Sequence, residues 1–172
     1  MKKRSIILLV SIFITILLAT GYVKYGLVWN YFYYKQEFED YLEYKYDKPV
    51  MIKEVSYDMF HDKYDGYAFF EAKPNIVFHV GLYGKNKEIR DSYEYEAFSE
   101  QATSDVKSIA DKLLPDHQHA RAEVIDLAKQ EIEVVIWYDK EFKEGIDEAL
   151  LTKILNKGYV VKNITITNDY ER

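Results

Sequence analysis

The chain has 172 residues, a formal net charge of −6, 17 Tyr, 9 Phe and no Cys. The positive charges before residue 25 (Lys2, Lys3, Arg4, Lys24) have no acidic neighbour there, so the rest is more acidic than the total, and such a body repels phosphate backbones, which excludes nucleic acid as a partner. Without Cys there is no disulfide framework, thiolate nucleophile, thiolate zinc site or lipid-modified N-terminal Cys, and stability has to come from a ring-rich core.

After Met1-Lys2-Lys3-Arg4, residues Ser5 to Val23 carry no charge. As a helix at about 1.5 Å per residue they reach roughly 28 Å, close to the ~30 Å hydrocarbon thickness of a bilayer. The basic cluster is expected to stay in the cytoplasm, which places the remainder outside as the domain of a single-pass signal-anchor protein in the cell membrane. A cleaved signal peptide is the alternative, since Ile6 to Leu18 suits an h-region and Ala19-Thr20-Gly21 a cleavage site. Against cleavage, Tyr22, Val23, Tyr25, Leu27, Val28, Trp29, Tyr31 and Phe32 continue the pattern as an interfacial aromatic belt with a snorkelling Lys24.

From Trp29 to Tyr46 the steps between Tyr34, Phe38, Tyr41, Leu42 and Lys45 predict an amphipathic helix, ended by Asp47-Lys48-Pro49. Val50 to Phe60 then switches to period two, with Met51, Val55, Tyr57 and Met59 expected on one face and Glu54, Ser56 and Asp58 on the other. Asp65-Gly66 is the residue pair a type I′ hairpin turn takes, and Tyr67 to Lys73 is the expected returning strand. A third strand, Asn75 to Tyr83, sets Ile76, Phe78, Val80 and Leu82 on one face, and Glu88 to Arg90 makes a short fourth. Tyr95, Phe98, Ala102, Val106, Ile109 and Leu113 form a helical stripe, with Asp91 or Ser92 as cap and Pro115 past its end. Strands follow at Arg121 to Leu127 and Gln130 to Tyr138, then a helix with Ile146, Leu150 and Ile154 that stops near Gly158, and a last strand with Val160, Ile164 and Ile166.

This order predicts an α+β fold in which helices pack on antiparallel sheet. The division is an anchor at 1–28 and an extracytoplasmic domain at 29–172, read as one compact unit or as two small ones, 29–113 and 114–172, joined through Lys112 to Ala120.

The segments Tyr41-Leu42-Glu43-Tyr44-Lys45-Tyr46, Val55-Ser56-Tyr57, Tyr67-Ala68, Lys73-Pro74 and Val77-Phe78-His79-Val80 resemble the YfjL-like membrane-anchored proteins of Gram-positive bacteria, over residues 1 to 113. The resemblance implies a helix followed by a meander, similar to cystatin-like folds, and implies no activity or catalytic residue. Asp47 stands where that family often has glycine after the helix.

Four histidines invite a site. His117 and His119 with Asp116 offer metal-ligand chemistry, but in a loop with no further ligands nominated, and a solvated loop is the preferred reading. Asp58, His61, Asp62 and Asp65 gather around the first hairpin, where turn chemistry accounts for them without a cation. His79 falls on the face opposite Phe78 and is read as a partly exposed sheet residue. Nucleophile-elbow and phosphate-loop patterns do not occur. No catalytic, metal-binding or cofactor-binding residue is assigned, and no cofactor is expected. Tyr31, Tyr33, Tyr34, Tyr41, Tyr44 and Tyr46 divide between bilayer belt, core seam and a partner surface.

The expectation is therefore a non-enzymatic module tethered to the bilayer that binds a protein or envelope component. An inhibitor or immunity-type protein against a secreted enzyme or toxin is the second reading. An enzyme or metal-binding protein using the Asp58 to Asp65 cluster or the His117 and His119 loop is the third.

Overall fold

The computed structural model describes residues 2–141 and 145–167; the side chains of residues 2–5, including the basic cluster Lys2-Lys3-Arg4, lie outside what is described. The chain divides into two compact units, Met1–Tyr93 and Glu94–Arg172.

The first unit opens with α1 (Lys2–Tyr25) and α2 (Val28–Tyr46). They are not one continuous rod. Gly26 takes a left-handed φ of 63° and Leu27 is extended, so the axis breaks between them. At the other end of α2, Asp47 adopts φ 51° and its N–H returns to the Glu43 carbonyl at 2.8 Å, filling the place a glycine would take.

Four strands follow: β1 (Val50–Asp58), β2 (Lys63–Phe70), β3 (Lys73–Tyr83) and β4 (Glu88–Asp91). They form an antiparallel meander in chain order, the helix-plus-meander arrangement expected from sequence. Phe38 and Leu42 of α2 are fully buried, as are Val55, Ala68 and Val80, and Phe70 and Phe78 are nearly so. Each large apolar side chain removed from water in this way contributes roughly 1.5–3 kcal/mol.

Two sequence expectations for this sheet are corrected. The first hairpin turns at Met59 to Asp62, not at Asp65-Gly66, which lies inside β2 with Asp65 opposite Ser56 and Gly66 opposite Val55. The faces of β1 also differ: Val50, Ile52 and Val55 are buried, while Met51 and Met59 are 47% and 43% exposed. A register shift between Ile52 and Glu54 puts Met51 on the face opposite Val55, because one extra residue in a strand exchanges its faces from that point on, while Met59 lies past the strand in the turn. Residue spacing carries no sign of where such a bulge falls.

The second unit is built from α3 (Tyr93–Leu113), β5 (His119–Asp126), β6 (Glu131–Trp137), α4 (Ile146–Leu155) and β7 (Val160–Thr167). Its three strands lie in the order β5-β6-β7. Ala102, Val106, Ile109 and Ala110 of α3 share one core with Ala120, Ala122, Ile132, Val134, Ile136, Leu150 and Ile154. The division between Tyr93 and Glu94 falls at the start of α3, which packs on this sheet. The sheet is also not wholly antiparallel: β7 runs parallel to β6, the pairing that a crossover helix such as α4 permits.

Candidate functional site

The β1–β2 hairpin meets the junction of α1 and α2 through aromatic rings. Tyr57 and Tyr64 are cross-strand partners at a ring separation of 4.9 Å. Tyr64 stacks on Tyr34 of α2 at 4.5 Å and 22°. Tyr57 meets Tyr22 of α1 edge-on at 6.1 Å. The Tyr64 hydroxyl and the Tyr57 ring occupy the space that a Cβ on Gly26 would need, so the helix break and the hairpin fit only with glycine there. Lys24 lies 3.7 Å from Glu54 and over the Tyr25 ring at 5.1 Å, and Tyr25 packs edge-on against Tyr31. Burial pushes the Tyr34 phenol above its usual range.

Polar groups at the hairpin tip are paired within it or with Lys87. One oxygen of Asp58 accepts the backbone N–H groups of Phe60 and His61 at 3.0 and 3.2 Å, and the other lies 2.5 Å from His61 Nδ1. This contact with His61 holds the Asp58 carboxyl below the ordinary range. Asp62 accepts from Lys87 at 2.7 Å and from the Tyr57 hydroxyl at 3.0 Å, and both bonds hold its carboxyl low. The same bond to Asp62 pushes Tyr57 up to about 12. Phe60 is left 89% exposed at the tip.

The structure does not gather the four hairpin residues into a metal-binding cluster. Asp65 lies on β2 and accepts the Ser56 hydroxyl at 2.6 Å, while Asp58 and Asp62 each have their own partners. Among the described residues, no group of three or more His, Asp or Glu is placed to hold a metal ion. The other histidine motif separates in the same way. His117 has a side chain only 5% exposed, with Nδ1 2.9 Å from the Leu114 carbonyl, so it is no solvated loop residue. His119 opens β5 against the Trp137 ring, and Asp116 pairs with Lys140 at 2.8 Å. His79 is half-buried, its N–H donating to Ser92 Oγ at 3.0 Å and its Nδ1 3.2 Å from the Tyr83 hydroxyl.

Each unit holds a carboxylate at the centre of a cluster: Asp91, which the sequence offers only as a helix cap and which does accept the Tyr93 N–H, and Asp105, which sequence reasoning missed. The Asp91 side chain is fully buried and accepts from Tyr46 at 2.7 Å, Lys45 at 2.9 Å, Tyr41 at 3.1 Å and the Tyr93 N–H at 3.1 Å. Burial pushes this carboxyl up, but the bonds from Lys45, Tyr46 and the Tyr93 N–H outweigh it and hold it low. Burial likewise works against the Lys45 ammonium and is overcome by its bonds to Tyr46 and Asp91. In the second unit Asp105 accepts from Lys157 at 2.7 Å, Tyr159 at 2.8 Å and Gln101 at 3.1 Å. Both sites lock elements together: α2 to the end of β4, and α3 to the segment after α4. Lys45-Tyr46 is visible in the sequence, but its acidic partner lies forty-five residues away and no local pattern joins them.

Two shallow concavities lie among the described residues. One of about 270 Å³ lies between α4 and β7, lined by Asp147, Leu151, Lys162 and Ile164 among others, below the roughly 300–1,000 Å³ of ordinary small-molecule sites. Another, of about 250 Å³, follows the polar turn from Tyr83 to Arg90.

No protein-family model matches the chain. No curated protein matches it either. Among solved structures it is similar to a DUF5037 family protein from Ruminococcus gnavus, with 12% identity, a TM-score of 0.42, and coverage of 70% of this chain and 66% of that one.

Proposed function

We propose that the chain is a single-pass membrane-tethered module whose two units lie outside the cytoplasm, where they bind a protein or envelope component without turning over a substrate. The observation that carries this reading is the exposure of α1. From Ile6 to Leu18 its large apolar side chains are between 49% and 69% exposed, on consecutive residues and so on every side of the helix. A core or a partner helix covers one face; hydrocarbon covers all of them. At about 1.5 Å per residue its 24 residues reach roughly 36 Å, enough to cross the ~30 Å core with a turn to spare. Lys24, Tyr22 and Tyr25 then stand at the outer interface and Lys2-Lys3-Arg4 at the cytoplasmic one.

A binding role, as opposed to catalysis, is supported by how the acids are used. Asp91 and Asp105 are each held by a Lys and a Tyr as fasteners that join elements of the fold. The tether raises the effective concentration of the module at the surface.

Topology is testable because the chain has no native Cys. Tyr44→Cys, at a position 93% exposed on α2, should react with a membrane-impermeant maleimide in intact cells while the protein stays in the membrane fraction with its N-terminus intact by mass. Labelling only after permeabilisation, or a mature chain starting near Gly21, overturns the proposal. Photocrosslinking from the same position should give one discrete adduct with a protein or envelope polymer; turnover of a substrate by the purified chain would favour the enzyme reading instead.

A further inference from the structure

We infer that the β1–β2 hairpin tip, Met59 and Phe60, enters the bilayer interface beside α1 as a second membrane contact, an inference that rests on α1 being the membrane anchor. Three observations point to lipid as the occupant of this surface.

Direction is the first. β1 pairs side by side with the end of α1 that emerges from the apolar run: Glu54 meets Lys24 and Tyr57 meets Tyr22 and Gly26. Val50 at its start lies 3.4 Å from the Glu43 carboxylate near the far end of α2. The strand therefore descends from the distal end of α2 toward α1, and the tip lies beyond Tyr57. Phe60 is three residues further on, up to about 10 Å at strand rise, which brings it to the level of the interfacial belt.

The second is that the polar groups at the tip are paired while its apolar ones are not covered. Asp58 bonds to His61 and to two backbone N–H groups, and Asp62 to Tyr57 and Lys87. Beside them Phe60 is 89% and Met59 43% exposed. A turn that satisfies its own polar groups while presenting a Phe and a Met is suited to the boundary between headgroups and acyl chains, where an aromatic ring is stabilised and an unpaired polar group is not.

Continuity is the third. The base of the hairpin is fastened to α1 and α2 by Tyr22, Tyr34, Tyr57 and Tyr64, so once α1 spans, the tip has no independent freedom to stay away from the surface. Two contacts with the bilayer fix the tilt of the first unit, where a single helix would leave it free to swing.

The test uses the full chain in phosphatidylcholine–phosphatidylglycerol vesicles, with an environment-sensitive fluorophore on one introduced Cys and lipids brominated at the upper or the middle part of the acyl chain. Probes sit at Met59→Cys with Phe60 intact, at Ile14→Cys in α1 and at Tyr44→Cys. Expected results are quenching at Ile14 by mid-chain bromines, quenching at Met59 mainly by upper-chain bromines, none at Tyr44, and loss of about half or more of the Met59 quenching when Phe60→Asp is added. Quenching at Ile14 with Met59 as unquenched as Tyr44 overturns the tip contact and leaves the anchor standing. Absence of quenching at Ile14 overturns the anchor and the tip contact together. A Met59 probe shielded from aqueous iodide yet untouched by bromolipid marks a protein partner at the tip and also overturns the inference.

Discussion

Gly66 lies against the carbonyl oxygen of Glu54, across the β1–β2 ladder, with no room between them for a Cβ. The contact sits beside the register shift at Ile52 and Glu54, where the bulged strand pushes its backbone toward its neighbour. Gly66 is required by proximity, not by its own φ. Gly66→Ala is therefore expected to destabilise the chain by about 1–3 kcal/mol, the range of overpacking in a filled site. Urea unfolding should show a lower midpoint with an unchanged slope; wild-type stability would place the strain elsewhere.

Asp91 predicts a pH dependence. Its folded pKa lies below its ordinary value of about 3.9, so the stability it contributes is fully present above that value and is lost as pH falls through the folded one. Unfolding measured from pH 7 to pH 2 should show wild type losing stability below about pH 4 more steeply than Asp91→Asn, the difference between the curves isolating this carboxyl from the other depressed ones. At neutral pH Asp91→Ala is expected to cost about 2–3 kcal/mol: it removes charge-assisted hydrogen bonds, but Lys45 is partly exposed and can regain water.

Tyr57 and Asp62 predict a titration signature at the hairpin tip. With the bond to Asp62 present, the Tyr57 phenol ionises near 12. Asp62→Asn removes the negative charge, and the ring should then ionise lower, toward the ordinary value of about 10, with partial burial still holding it up. Ring-carbon NMR shifts against pH resolve this residue from the other tyrosines, and an unmoved Tyr57 would show that the bond does not persist in solution.

The anchor makes a quantitative prediction of its own. Apolar residues at the centre of a spanning helix contribute about −0.3 to −0.6 kcal/mol each, and one Arg there costs about 2.5–3.5 kcal/mol. A single Ile14→Arg leaves ten of the eleven large apolar residues from Ile6 to Leu18, enough to hold the chain in the membrane fraction. Ile12→Arg combined with Ile16→Arg should release it. Retention of the double variant in carbonate-washed membranes would mean that α1 is not what holds the protein there.

Several elements were legible because their signal is local. Ala102, Val106 and Ile109 recur at helical spacing and all three are buried in one core; Phe78, Val80 and Leu82 alternate and are buried on one side of β3. Asp65-Gly66 misled because the same pair that favours a tight turn also suits a strand position where another backbone presses close, and sequence does not separate these two needs. Met59 and Phe60 continue the period-two pattern of β1, yet they lie in the turn; its signal is Asp58, whose side chain captures the N–H groups two and three residues on.

The sequence by itself determined the charge-free apolar helix, the α+β order and the placement of most helices and strands, since each follows from spacing within a short window and from the reach of one side chain to its neighbours. Tertiary structure alone decided the bulge that exchanges the faces of β1, the parallel pairing of β7, the partnership of Asp91 with Lys45 and Tyr46, and the seating of the first hairpin against the α1–α2 junction. These depend on which distant segments meet, and the free energy of such a meeting comes from burial and hydrogen bonds shared between them, which neither segment encodes alone.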